Sequence, residues 1–95
     1  MHIHEFQQMM RQLYFHCDSE RGVAGTFNWL ADEIHELGDA IKNGDKKETE
    51  DEFADVIAWL ASLANVLNID LEKAAITKYS NKCPKCSSAP CRCTF

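Results

Sequence analysis

Apolar residues recur at three- and four-residue steps along most of the chain, the repeat of a helix that buries one stripe. In the first segment the stripe is Ile3, Phe6, Met10, Leu13 and Cys17. It predicts a helix from Ile3 to about Cys17, with Cys17 as a small buried hydrophobe. Asp18 to Gly25 (DSERGVAG) is polar, carries two glycines and reads as a connection over one end of a bundle. Thr26 is a candidate cap for a second helix, in which Leu30, Ile34, Leu37 and Ile41 form the stripe to about Asn43. In the turn Asn43-Gly44-Asp45, Gly44 suits the position just past a helix end, and Asp45 with Glu48 forms a capping box for the next. That third helix, about Lys46 to Leu67, is apolar nearly all round after Asp55 (VIAWLASLANVL). Asn68-Ile69-Asp70 breaks it, and a fourth helix follows from Leu71 to about Tyr79. The pattern predicts an all-α, four-helix bundle-like domain. A helix without a polar face is buried from several sides, which a four-helix monomer of 95 residues cannot provide, so a homo-oligomer is expected, most simply a two-fold dimer.

Two acidic pairs, Glu33/Glu36 and Glu52/Asp55, break the apolar faces around the Gly44 turn. Each pair has three-residue spacing, so its carboxylates project from one helix face. A short connection makes the helices antiparallel neighbours, and the two pairs can then face each other. The outward positions of the second helix go to Asn28, His35, Asp39 and Lys42, whereas Glu33 lies on the shoulder of the stripe. Glu52 and Asp55 share a line with Trp59, Leu63 and Val66. That placement favours a metal site over solvated charge: four clustered carboxylates repel one another, and a hard, oxygen-seeking cation such as Mg²⁺ neutralises them. Trp29 precedes Glu33 by one turn and Trp59 follows Asp55 by one turn, so each is a candidate for stacking on a base or for core packing.

DEIHE followed by EFAD resembles the EExxE…ExxD signature of the MazG-like nucleotide pyrophosphohydrolases, within the all-α NTP pyrophosphatases. The similarity runs from about Gly25 to Tyr79, with Asp32 standing where the family usually has Glu. The resemblance implies an enzyme converting a (d)NTP and water to (d)NMP and pyrophosphate, a house-cleaning activity on nucleotide pools, in a dimer or tetramer. Mg²⁺, with Mn²⁺ able to substitute, would be held by Glu33, Glu36, Glu52 and Asp55, with Asp32 in reserve; Glu33 or Glu36 would orient or deprotonate the attacking water. Lys78 and Asn81 resemble the segment of the family that contacts substrate phosphates. The rival of another class is a non-catalytic, dimeric helical interaction module with a zinc-capped tail, whose acidic face binds a basic partner.

Net charge of −5 argues against nucleic-acid binding, which depends on Lys and Arg neutralising phosphates. It would also repel a free triphosphate but not a metal-bridged one. The longest apolar run, Val56 to Leu67, is too short to span a bilayer, and the N-terminus lacks the pattern of a secretory signal. A cytoplasmic protein without a membrane partner is expected. His2, His4 and His16 are scattered and read as surface residues, and Arg21 is a phosphate contact only if its loop folds toward the site.

The composition shifts after residue 80. Residues 1–80 read as the helical domain and residues 81–95 as a cysteine-rich tail. Cys83, Cys86, Cys91 and Cys93 form CxxC-x4-CxC, a pattern open to a four-thiolate structural Zn²⁺ site, reduced thiols or a disulfide. Zinc is the preferred reading, because a reducing compartment disfavours disulfides.

Overall fold

A single kinked helix, α1, occupies Ile3–Asn43 in the computed structural model, which describes residues 1–94. It is followed by α2 (Lys46–Val66) and α3 (Leu71–Lys78), and the described residues contain no strand. The fold is all-α, as expected, but the connection expected over Asp18–Gly25 has contracted to one residue. Gly22 has φ 80° and ψ −179°, and helix continues on both sides of it. The described residues thus form three helices, the first bent, where the periodicity predicts four. Thr26 caps nothing; it is fully buried within α1.

The remaining punctuation follows the sequence. Gly44 adopts the left-handed conformation (φ 75°), and its N–H donates to the carbonyls of Ala40 and Ile41. Asp45 Oδ1 accepts from the Glu48 N–H at 3.1 Å and opens α2. Asn68 takes φ 56°, and Asp70 Oδ1 accepts from the Lys73 N–H at 3.0 Å. These caps satisfy donors and acceptors that the helix ends leave open. α2 and α3 meet at a bend of 100°, and no single helix is long and apolar enough to cross a membrane.

α1 packs along α2, and α3 packs on the N-terminal part of α1. The interior is narrow: Met10, Leu30, Ala40, Ala61 and Ala64 are its buried apolar residues. Alanines at the contact allow two helix backbones to approach closely. A polar lock closes the end remote from the Gly44 turn. Gln7 Nε2 donates to Asn65 Oδ1 at 3.0 Å and to the Ile69 carbonyl at 2.7 Å. Gln7 Oε1 accepts from the Leu71 N–H at 3.0 Å, and Asn65 Nδ2 donates to the Gln7 carbonyl at 3.1 Å. In the N-terminal part of α1 the buried residues are therefore Gln7, Met10 and Asp18, of which Met10 alone belongs to the stripe that apolarity marks out. Ile3 and Leu13 are half exposed and Cys17 is exposed, which corrects its expected burial.

Apolar surface is left uncovered on both long helices. Phe27, Ile34 and Ile41, at seven-residue steps on α1, are more than half exposed, and Phe53, Ile57 and Leu60 on α2 are exposed as well.

Gly22 lies in a backbone region open essentially to glycine alone, and a Cβ there would meet nothing within 4 Å. Gly22→Ala therefore tests backbone strain without a clash. It is expected to destabilise the fold by about 1–3 kcal/mol in denaturant unfolding. Unchanged stability would show that the kink does not require this conformation.

Candidate active site

The Gly44 turn sets the register of the α1–α2 hairpin, so positions descend on α2 as they rise on α1. Trp29 and Trp59 face each other; Glu33 and Glu36, one and two turns past Trp29 on α1, face Glu52, two turns before Trp59 on α2. Each of these three glutamates offers a carboxylate oxygen, and the three oxygens lie within 4.8 Å of one another. Asp55 is exposed and stands outside this trio, though close enough for its charge to act on both Glu33 and Glu52. Asp32 is exposed and does not join the cluster.

Electrostatically the cluster is unfinished. Glu33 Oε2 and Glu52 Oε2 are buried and have no hydrogen-bond partner. Desolvation, and then the neighbouring Glu36, Asp55 and Glu52 carboxyls, push Glu33 up to about 7. Glu52 is raised as well, chiefly by desolvation. A carboxyl near 7 is half protonated at neutral pH, so Glu33 can carry the proton that lets three acids share the space. A divalent cation does the same by supplying positive charge. The donor set is all oxygen, which suits Mg²⁺ or Mn²⁺.

Beside the carboxylates is an aromatic and cationic wall. The indoles of Trp29 and Trp59 stack with centroids 5.5 Å apart and planes 9° from parallel. The Arg21 guanidinium lies 4.8 Å from the Trp59 ring centroid. Arg21 is held there by Asp18, whose Oδ1 accepts from Nη1 at 2.8 Å, while Thr26 Oγ1 lies 3.5 Å from the same nitrogen. Asp18 is 2% exposed, so its charge is viable only beside this partner. Gly25 makes room for the arrangement: a Cβ there would come within 2.6 Å of Arg21 Cγ. A cavity of about 400 Å³ opens at this wall, lined among others by Asp18, Arg21, Asp55, Trp59 and Ser62.

The expected residues are thus partly gathered. Glu33, Glu36 and Glu52 converge, Asp55 and both tryptophans adjoin them, and Arg21 folds inward. Lys78 and Asn81 are exposed, at and beyond the end of α3. α3 follows the far end of α2, and Glu52 and Val66 are about 21 Å apart along that helix at 1.5 Å per residue. Within one chain these two residues do not meet the carboxylates. Asp18 was not anticipated; its three-residue spacing from Arg21 is the signal that marks it.

The family model of the MazG nucleotide pyrophosphohydrolase domain matches residues 21–87, well over half of the chain. The chain belongs to this family. Comparison with curated proteins returns no match. The match to the MazG domain begins at the α1 kink and takes in both acidic pairs, both tryptophans and the first two tail cysteines. It assigns the general activity, hydrolysis of a nucleotide phosphoanhydride.

The four tail cysteines of this MazG chain also converge, with their sulfurs within 4.8 Å of one another. Backbone N–H groups of Cys86 and Lys85 lower Cys83, and those of Arg92 and Ser88 bring Cys86 down to about 6. The neighbouring sulfurs push Cys93 up to about 11.

The shift on Glu33 fixes a sign for metal-free stability. Its folded value lies above the ordinary 4.5, so between these values the folded state holds more protons and stability falls as pH rises. Glu52 adds in the same direction. In chelator, the melting midpoint is expected to decline from about pH 5 to about pH 8, and Glu33→Gln to flatten that decline. An identical slope in the variant would remove Glu33 as the proton carrier.

Proposed function

We propose that this MazG domain is a Mg²⁺-dependent nucleoside triphosphate pyrophosphohydrolase, releasing a nucleoside monophosphate and pyrophosphate. The observation that carries the reading is the trio Glu33, Glu36 and Glu52, with two buried carboxylate oxygens lacking any partner beside a stacked tryptophan pair. The residues fit a hard divalent cation, which Glu33, Glu36 and Glu52 would hold with Asp55 as the adjoining fourth carboxylate. When bound, the cation would polarise the reacting phosphate and acidify a water at the same place.

The chain's own groups do the rest. Glu33 and its neighbour Glu36 stand where either carboxylate could orient the attacking water beside the cation. Trp59 and Trp29 offer an indole surface to a nucleobase, and Arg21 beside Trp59 offers positive charge to a phosphate in an otherwise acidic chain. The cavity of about 400 Å³ is within the range of small-molecule sites. Lys78 and Asn81 would reach the substrate only from a second copy of the chain. The uncovered apolar stripes through Phe27, Ile34 and Ile41, and through Phe53, Ile57 and Leu60, support a homodimer or homotetramer.

A panel of NTPs and dNTPs incubated with the protein is expected to yield pyrophosphate with Mg²⁺ and none in chelator. Glu36→Gln and Asp55→Asn are each expected to lower turnover at least about 100-fold, the scale of losing a charge-stabilising group, with helical content unchanged. Release of orthophosphate, or near-normal turnover in both variants, would overturn the assignment.

Trp59 separates binding from packing. As a base platform, Trp59→Ala should weaken nucleotide affinity by about 1–3 kcal/mol. As a core residue it should instead cost about 3–5 kcal/mol of stability. Trp59 is half-buried and Trp29 is 50% exposed, so the affinity loss is the expected result. A large fall in melting midpoint with affinity unaltered would exclude Trp59 from the site.

A further inference from the structure

Beyond Lys78 the chain forms no helix or strand among the described residues, yet it folds tightly on itself. The Cys83 N–H donates to the Ser88 carbonyl at 3.0 Å, and the Ser87 N–H returns to the Cys83 carbonyl at 2.8 Å. Ser87 takes φ 60°, a left-handed turn that brings Cys86 back toward Cys83. Such a turn has no apolar core to hold it, since the segment offers little besides cysteine, proline and polar residues. Something at the sulfurs must supply the free energy.

The sulfur positions identify what that is. Cys83 Sγ lies 3.7 Å from Cys93 Sγ, and Cys86 Sγ lies 4.0 Å from Cys91 Sγ. All four sulfurs fall within 4.8 Å of one another. Four thiolates around Zn²⁺ at ~2.3 Å occupy a tetrahedron whose edges are about 3.8 Å. Two disulfides would need two bonded pairs at ~2.05 Å and no convergence of all four atoms on one centre. Backbone N–H groups also point at sulfur, Arg92 N to Cys86 Sγ at 3.4 Å and Cys93 N to Cys91 Sγ at 3.2 Å. Such donors stabilise thiolate over thiol. Zn²⁺ with four thiolates carries two net negative charges, and Lys82, Lys85 and Arg92 are interleaved with the cysteines in a stretch without one acidic residue.

We propose that Cys83, Cys86, Cys91 and Cys93 bind one Zn²⁺ as a closed structural site, separate from the oxygen-ligand cluster between α1 and α2. Four protein ligands leave no position for water or substrate, so the ion takes no part in hydrolysis. Each thiol still protonated gives its proton to solvent on coordination. The metal-bound loop extends the chain with a small rigid knob directly after the segment carrying Lys78 and Asn81.

The fifth cysteine makes the test quantitative. Cys17 is exposed and lies in α1, away from the tail sequence, so it reports an unprotected thiol in the same molecule. Full-length protein purified in reductant is expected to contain about one zinc per chain. Its native thiol count should be one, rising to five after denaturation in chelator. Cys86→Ser and Cys91→Ser should each lose the zinc while α-helical circular dichroism persists. Cys17→Ser should keep the zinc and bring the native count to zero. Cobalt added to the apo chain should give the visible absorption of tetrahedral thiolate. A zinc-free protein that takes up no Zn²⁺ when reduced, or four tail thiols reacting as fast as Cys17, would overturn the proposal. So would protection that reductant removes and chelator does not, since that pattern means disulfides.

Discussion

Three carboxylates on facing helix surfaces repel one another, two of them with a buried oxygen removed from water, and the rest of the hairpin is built to hold them there. The Gly44 turn fixes the register that brings Glu52 opposite Glu33 and Glu36. The packing that resists the repulsion comes from elsewhere on the two helices. Ala40 lies a turn beyond Glu36 toward the hairpin turn, while Ala61 and Ala64 lie on the far side of Trp59. The Gln7–Asn65 lock then ties α1, α2 and the start of α3 together at the opposite end. Local electrostatic cost is tolerated because cooperative packing on both sides outweighs it.

A second charged arrangement is solved differently. Asp18 is almost wholly buried, yet it has a cation of its own three residues away. The Gly22 kink lies immediately beyond Arg21, and the absence of a side chain at Gly25 lets the arginine lie across the helix toward Trp59. A buried ion pair contributes little net stability, but it fixes geometry. Here it fixes a positive charge beside an aromatic surface at the rim of a negative cluster. The acidic site is thus set by the α1–α2 hairpin, and the basic residue next to it by the kinked part of α1.

The helical class, the caps at Gly44, Asp45, Asn68 and Asp70, and the approach of Glu33 and Glu36 to Glu52 could be read from residue spacing, whereas Asp55 stands outside that trio. Those features depend on local chemistry, which sequence carries directly. The inner face of α1 could not be read that way. Gln7 and Asp18 occupy positions where periodicity looks for apolar residues, and their partners, Asn65 and Arg21, are a matter of tertiary contact. Ile34 and Ile41 follow the apolar repeat and remain exposed in the single chain, because the repeat records what is covered without saying by which molecule. The Gly22 break was legible as a glycine in a polar stretch, but its length was not: one residue in a glycine-only conformation does the work of a loop. Lys78 and Asn81 were matched by sequence order, which carries no information on distance from the carboxylates.

The two tryptophans of this chain are stacked on each other, Trp29 one turn from Glu33 and Trp59 beside Arg21. No other indole contributes to the emission of the protein. Excitation selective for tryptophan therefore interrogates one spot a few ångströms across, with no background from elsewhere in the fold. An ordinary ultraviolet fluorescence spectrum of the unlabelled chain is a local optical gauge of charge and contact at that spot.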